Sequence, residues 1–118
     1  MSEELLTFEV LDRGADVVVS ISGELDFGTT AEFQSVLQPL ARGGRPLVLD
    51  LAGLAFCDST GLGALVRLHK LTEESGGRLS LARLRPRIES TIKLTMLHRL
   101  LHLLPEVPAD HSGPVIRD

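Results

Sequence analysis

Short strand-like runs alternate along this chain with longer segments whose apolar residues recur every three or four positions. Runs of aliphatic residues predict strands, whereas the three-and-four spacing predicts amphipathic helices. The predicted strands cover residues 17–22, 47–51 and 79–82, and the predicted helices cover residues 29–41, 60–74 and 86–94. Because strands and helices alternate, we expect parallel strands joined by right-handed crossovers, as in an α/β domain.

Two further strands are predicted near the ends of this unit. Residues 6–11 favour a strand, and the turn around Gly14 should pair it antiparallel with residues 17–22. A helical turn from residue 96 should precede a fifth short strand at residues 101–104. The domain is therefore predicted to span residues 1–104. Residues 105–118 are rich in Pro, Asp and Gly and are predicted to form a flexible tail.

The apolar pattern of the strands predicts a sheet with one well-covered face. Alternate residues of a strand point to opposite sides. Val17, Val19 and Ile21 share one face of their strand, whereas the other face carries Ser20 and Ser22. We therefore expect a mixed, mostly parallel sheet of four to five strands, with an antiparallel N-terminal strand and helices mainly on one face.

Composition excludes several classes of function. The chain has a net charge of -4 and only 3% aromatic residues, which argues against nucleic-acid binding. It has no basic patch for an anionic membrane and no apolar run of transmembrane length, so membrane insertion is not expected. Cys57 is the single cysteine and is interpreted as a small buried apolar residue. The acidic start of the chain does not resemble a signal peptide, which predicts a cytoplasmic protein.

The most informative segment lies where a strand-following loop meets the second predicted helix. Asp58, Ser59 and Thr60 are all good helix caps, although a helix needs only one. No Glu or Gln stands three positions after either hydroxyl residue, so no capping box forms. Gly61 and Gly63 fall in the first turn, where we expect small residues to leave the backbone and hydroxyl open to a partner. In the simpler interpretation, Ser59 or Thr60 only caps the helix.

A phosphate on Ser59 would experience two opposing effects. It would lie at a helix N-terminus, which favours anions. The neighbouring carboxylate of Asp58 would repel it. We therefore expect this loop to suit a modest and reversible perturbation.

Two motifs together resemble the STAS domain family. The sequence Gly-Glu-Leu-Asp at residues 23–26 resembles a loop of STAS domains, and residues 58–63, Asp-Ser-Thr-Gly-Leu-Gly, resemble the phosphorylation loop of anti-sigma factor antagonists. The similarity extends over about residues 6–104. It is specific because the two motifs stand about thirty residues apart, in the expected order.

The resemblance implies a regulatory binding protein and not an enzyme. In the family, the serine directly after the Asp is phosphorylated by an anti-sigma factor that is also a serine kinase; here that residue is Ser59, with Thr60 as the second choice. The unmodified protein binds the anti-sigma factor and thereby frees the sigma factor, and a serine phosphatase reverses the modification. The kinase brings the ATP, so no cofactor of this chain is expected. The implied partner-binding residues are Asp26, Asp58, Ser59, Thr60, Gly61, Leu62, Gly63 and Val66.

Helical geometry adds a hypothesis about this partner surface. The core stripe of the second helix is predicted to contain Gly61, Ala64, Leu65, Leu68 and Leu71. Leu62 and Val66 fall on a neighbouring strip and are either part of a wide core stripe or a partly exposed docking surface. Two residues depart from the expected pattern. Met96 stands where the family commonly has Gly, and Pro39 should kink or end the first helix early.

Two alternatives remain beside the partner switch. A STAS domain can be a structural subunit of a transport assembly, for example of a lipid-transport ATPase. An enzyme with Ser59 as nucleophile would need a base, and no His is near Ser59 in sequence. His98 and His102 have the spacing of a zinc helix but lack the following Glu, so no metal site is predicted.

Overall fold

The computed structural model describes residues 6–110 and confirms the predicted α/β class. The strands are β1 (Thr7–Asp12), β2 (Val17–Leu25), β3 (Leu47–Cys57), β4 (Leu79–Ala82) and β5 (His102–Leu104). The helices are α1 (Thr30–Ala41), α2 (Ser59–Glu74) and α3 (Pro86–Leu94), followed by a 3-10 turn at Leu97–Arg99. Within these residues the five strands form one sheet in the order β1-β2-β3-β4-β5. β1 is antiparallel to β2 and the other pairs are parallel, as predicted.

The two faces of the sheet differ as the strand pattern predicts. The main core contains Val19, Leu49 and Leu81 from adjacent strands, together with Phe33 of α1 and Leu65 of α2. The opposite face carries a much smaller apolar cluster. The helices therefore pack mainly on one side of the sheet.

The segment after β5 lies against the less covered face. Val107 packs against the cluster of Val18, Val48 and Ala82. Asp110 interacts electrostatically with Arg13 in the β1–β2 turn. Residues 105–110 therefore run across this face, from the end of β5 to the turn that precedes β2. The domain boundary at residue 104 and the flexibility of the tail stay predictions, and residues 111–118 lie outside the described residues.

Pro39 does not end the first helix early, so that part of the expectation is wrong, whereas a kink at Pro39 stays a prediction. α1 continues through Pro39 to Ala41. A proline leaves the carbonyl four residues earlier without its helical donor. That carbonyl belongs to Ser35, which is exposed, so water can solvate it. The cost of the proline is therefore small enough for the last turn to form.

β2 and β3 are longer than the sequence pattern predicts, and the added residues reach the candidate site. Their pairing continues past Ser20↔Asp50, through register shifts, to a last pair formed by Leu25 and Cys57. The close approach of the two strands requires Gly53, because a Cβ there would collide with the Ser22 side chain. The carboxyl ends of β2 and β3, and the loops that follow them, are thus held side by side.

The ion pair of Asp12 and Arg45 yields a pH-dependent stability prediction. Arg45 donates to both carboxylate oxygens, at 2.7 and 3.0 Å, and this lowers the pKa of Asp12 from 3.8 to about 2. A lowered carboxyl pKa stabilises the fold above the unfolded value, and the contribution is lost as pH falls from about 4 to about 2. The free energy of unfolding of Arg45→Gln should therefore change less than that of wild type over this interval, as measured by urea melts.

The control for this prediction is Arg42→Gln. Arg42 is exposed and, within residues 6–110, forms no ion pair. Its substitution removes the same charge without removing a partner of Asp12, so it should retain the wild-type pH dependence. Equal pH dependence in Arg45→Gln and wild type would contradict a contribution from this pair.

Candidate functional site

The candidate site forms where the loops after β2 and β3 meet. Because Leu25 pairs with Cys57, the next residues in each loop, Asp26 and Asp58, begin side by side. The backbone N–H of Asp58 donates to the carbonyl of Leu25 at 3.2 Å. The topology therefore brings together the two motifs that the sequence places about thirty residues apart.

Asp58 is the helix cap and also joins the two loops. Its Oδ1 accepts a hydrogen bond from the backbone N–H of Gly61 at 2.8 Å, which caps α2. Its Oδ2 accepts from the backbone N–H of Phe27 at 3.2 Å, across to the β2–α1 loop. The simpler interpretation, in which Ser59 or Thr60 caps the helix, is therefore wrong.

Ser59 is left with an accessible hydroxyl. It is the first residue of α2 and is exposed, while Thr60 is half-buried. No hydrogen bond of the Ser59 hydroxyl occurs within residues 6–110. Because Asp58 does the capping, this hydroxyl is free to react or to contact a partner without a loss to the helix start.

Asp26 organises the neighbouring loop. Its Oδ1 accepts from the backbone N–H of Gly28 at 2.9 Å. Thr29, which is buried, donates its hydroxyl to the carbonyl of Glu24 at 2.8 Å and accepts from the N–H of Asp26 at 2.9 Å. Thr29 occupies the cap position of α1, but its side chain makes no capping hydrogen bond. These contacts fix the shape of the loop beside Ser59.

Gly61 allows α2 to pack closely against the strand ends. The expectation that it leaves the start of the helix open to a partner is therefore wrong. A Cβ at this position would lie 2.5 Å from the carbonyl oxygen of Leu25 and 2.9 Å from Sγ of Cys57. Cys57 packs against the main core, and burial raises the pKa of its thiol to about 12, which agrees with its interpretation as a small apolar residue. Gly61 thus allows α2 to approach the ends of β2 and β3.

Replacing Gly61 should therefore destabilise the fold. In Gly61→Ala the added methyl group must displace backbone atoms, and overpacking of this kind lowers the free energy of unfolding by about 1–3 kcal/mol. The higher helix propensity of Ala raises it by only roughly 1 kcal/mol. The expected result is a net loss of stability in urea denaturation.

Gly63→Ala is the matched control, since its Cβ would meet only the end of the Arg67 side chain, at 3.3 Å. This variant should be neutral or slightly stabilised. Equal stability of the two variants would contradict the packing role of Gly61.

The two residues of the docking hypothesis differ in exposure. Leu62 is only 7% exposed and belongs to the main core, so the wide core stripe is the correct alternative for this residue. Val66 is half-buried. The spacing of apolar residues in the sequence could not show how wide a strip of α2 is buried against the rest of the domain. Of this pair, only Val66 retains surface to offer a partner.

Two phenylalanines that the sequence reasoning missed flank the loop. Phe27 is 82% exposed and Phe56 is 46% exposed. Phe27 is tied to the site through its backbone hydrogen bond to Asp58, and Phe56 lies two residues before Asp58. The chain has only four Phe and no Trp or Tyr. Aromatic residues are rare in this chain, and two of them stand beside the polar loop motifs. That coincidence is the sequence signal that could have identified Phe27 and Phe56.

The backbone conformation of Met96 explains why a glycine is expected at this position. Its φ is 64°, in the left-handed region that glycine enters at no steric cost. The helix thus ends with the expected geometry, although the residue differs. Met96 lies after the last residue of α3 and belongs to neither of the two loops that form the candidate site.

Neither a metal-binding cluster nor a membrane-spanning helix occurs in the described part of the chain. Residues 6–110 contain no group of three or more His, Cys, Asp or Glu residues arranged to hold a metal ion. Over the same residues, no helix has the length and apolar character needed to cross a bilayer.

Comparison with known proteins identifies the family to which this fold belongs. The model of the STAS domain family matches residues 7–109. An anti-sigma-B factor antagonist of Bacillus subtilis (strain 168) is 31% identical over 98 residues, which cover 83% of this chain and 90% of that protein. Its counterpart in Staphylococcus aureus (strain NCTC 8325 / PS 47) is 33% identical over 99 residues, covering 83% and 92%.

Solved structures show the same fold. The crystal structure of an anti-sigma factor antagonist from Mycobacterium paratuberculosis has a TM-score of 0.79 and 28% identity, over 90% of this chain and 91% of that one. The fold also occurs within a larger protein, the murine anion transporter Slc26a9, with a TM-score of 0.70 and 22% identity, over 79% of this chain but 16% of the transporter.

A mixed five-stranded sheet with a serine-bearing loop at the start of its second helix defines a small STAS-type module. This chain belongs to the STAS domain family, on its anti-sigma factor antagonist branch.

Proposed function

We propose that this chain is the antagonist component of a partner-switching pathway. In its unmodified form it binds an anti-sigma factor with serine kinase activity, and the sigma factor is released. Phosphorylation of Ser59 prevents this binding, and a serine phosphatase restores it. The chain acts as substrate and binding partner, and the kinase supplies the nucleotide.

The single observation that carries the proposal is the accessible hydroxyl of Ser59. A kinase needs an exposed hydroxyl whose modification does not disturb the fold. Ser59 is exposed at the first position of α2, and the capping role belongs to Asp58. Thr60 is half-buried, which makes it the poorer acceptor.

The proposed partner surface surrounds this hydroxyl and is named the switch surface. It consists of Phe27, Phe56, Ser59, Thr60, Gly63 and Val66. This surface is held in shape by hydrogen bonds and packing of four further residues, which are Asp26, Asp58, Gly61 and Leu62. Exposed aromatic side chains are typical anchors of protein–protein interfaces. The anti-sigma factor is expected to cover the phenylalanines and to bring Ser59 to its own nucleotide site.

A nucleophilic role of Ser59 has less support. A catalytic serine needs a base within hydrogen-bond reach. Within residues 6–110 no histidine or carboxylate forms a hydrogen bond with the Ser59 hydroxyl, and the Asp58 carboxylate accepts from Gly61 and Phe27. The phosphoacceptor role requires no such base.

The test is incubation with candidate anti-sigma kinases and ATP, followed by mass spectrometry of the intact chain and its peptides. Wild type and Thr60→Ala should gain one phosphate on Ser59, and Ser59→Ala should gain none. A phosphate that persists in Ser59→Ala, or the absence of phosphate from wild type with every kinase tried, would overturn the proposal.

The alternative role is a STAS subunit of a transport assembly. The occurrence of this fold within an anion transporter is compatible with it, although that likeness shows the fold alone. An intact Asp58-Ser59 motif favours the switch, since a structural subunit needs no phosphorylatable serine. A neighbouring gene for a kinase-type anti-sigma factor would support the switch, and a neighbouring permease gene would support the alternative.

A further inference from the structure

The guanidinium of Arg67 lies over the first turns of α2. Ser59, Gly63 and Arg67 stand at positions i, i+4 and i+8, so they form one stripe along the helix. Helical side chains lean toward the N-terminus. A Cβ at residue 63 would lie 3.3 Å from Nη1 of Arg67, so the guanidinium occupies the space above the glycine. Gly63 therefore lets the positive charge approach Ser59 to about one helical turn.

Gln34 of α1 holds this guanidinium in place. The amide of Gln34 is assigned with its oxygen toward Arg67, because the guanidinium offers only donors. In that orientation the oxygen accepts from Nε at 3.2 Å and from Nη2 at 2.8 Å. Within residues 6–110, no carboxylate lies within ion-pair distance of Arg67. The charge is thus positioned by a neutral partner and remains uncompensated.

Two acidic side chains stand near this end of α2. Asp58 directly precedes Ser59, and Asp26 lies in the adjoining loop, each accepting hydrogen bonds from backbone N–H groups. A phosphate on Ser59 would therefore face two carboxylates. Arg67 lies on the same helix stripe as Ser59, and its guanidinium extends toward a phosphate at that position.

From this arrangement we infer that Arg67 is the counter-charge of phosphorylated Ser59. The guanidinium, held over Gly63 by Gln34, offsets the repulsion from Asp58 and Asp26 and favours the dianionic form of the phosphate. This role rests on the proposed phosphorylation of Ser59 and adds to it the residue that stabilises the modified state. It also gives Gly63 a role, since a Cβ there would lie 3.3 Å from Nη1 of Arg67 and a larger side chain would compete with the guanidinium for the same space.

The second pKa of the phosphate reports this interaction directly. Phosphoserine is installed at position 59 during synthesis of the full chain, without a kinase, and its phosphorus signal is titrated by NMR. The second pKa should be about 0.4 pH units lower in wild type than in Arg67→Gln, as expected for unit charges roughly 7 Å apart in water. Arg67→Lys should retain part of the shift, and raised salt should diminish it.

Lys70→Gln is the matched control. Lys70 is exposed on the same helix, three turns from Ser59, and its substitution removes the same charge. It should leave the phosphate pKa near the wild-type value. Equal pKa values in wild type and Arg67→Gln, or equal changes in Arg67→Gln and Lys70→Gln, would overturn the inference. Because no kinase is involved, these results do not depend on whether a kinase modifies Ser59, so failure of the proposed function is detected separately.

Discussion

A chain with phosphoserine at position 59 is expected to bind the anti-sigma factor at least about 100-fold more weakly than the unmodified chain, a loss of about 2.7 kcal/mol. The phosphate adds nearly two negative charges beside Asp58. Binding would have to strip water from those charges at an interface that is expected to include Phe27 and Phe56, both of which are exposed and apolar. Calorimetric titration of the two forms with the anti-sigma factor measures the difference. Ser59→Asp should lose less affinity, because it adds one charge and fewer acceptor oxygens.

The control for this experiment is phosphoserine at position 90. Ser90 is exposed in the middle of α3 and lies outside the switch surface. Phosphate there should leave affinity within a few-fold of wild type. A similar loss at both positions would point to overall charge and not to the switch surface. Full affinity of the Ser59-phosphorylated chain would contradict the proposed switch.

Removal of the Phe27 side chain should produce the second large effect. Phe27→Ala is expected to weaken binding of the anti-sigma factor about 30-fold or more, which corresponds to the roughly 2 kcal/mol that marks an aromatic hot spot. Because Phe27 is 82% exposed in the free chain, the stability of the fold should hardly change. Surface plasmon resonance gives the affinity, and a thermal melt of the same sample gives the stability.

Leu94→Ala provides a matched comparison for Phe27→Ala. Leu94 is 84% exposed and apolar, but it is the last residue of α3 and lies outside the switch surface. Its substitution should leave affinity unchanged. If Phe27→Ala binds with wild-type affinity, Phe27 is not part of the interface. An equal loss of affinity in both variants would indicate a nonspecific apolar effect.

The sequence predicted the order and type of the elements because their signals are local. The runs at residues 17–22, 47–51 and 79–82 are strongly aliphatic, and the helical spacings are regular. The extensions of β2 and β3 were missed because they depend on pairing between distant residues. Gly53 is a poor strand former by itself, yet it is required where the Ser22 side chain approaches it.

The motifs of the candidate site can be recognised in the sequence, but the structural roles of their residues cannot. The motif around Ser59 could be recognised, but three adjacent capping residues do not reveal which one caps. The choice of Asp58 depends on its second oxygen, which accepts from Phe27, a contact between residues 31 positions apart. Likewise, the packing of Gly61 against Leu25 and the burial of Leu62 depend on neighbouring elements. Helical periodicity cannot report how those neighbours are placed.

The path of residues 105–110 has a practical consequence for binding measurements. These residues return from the end of β5 to the turn that carries Arg13, with Val107 packed on the sheet along the way. A tether attached beyond residue 110 would therefore start near the amino end of β2, whereas Ser59 follows the carboxyl end of the parallel strand β3. A chain immobilised in this manner on a sensor surface would present Phe27, Phe56 and Ser59 to the solution.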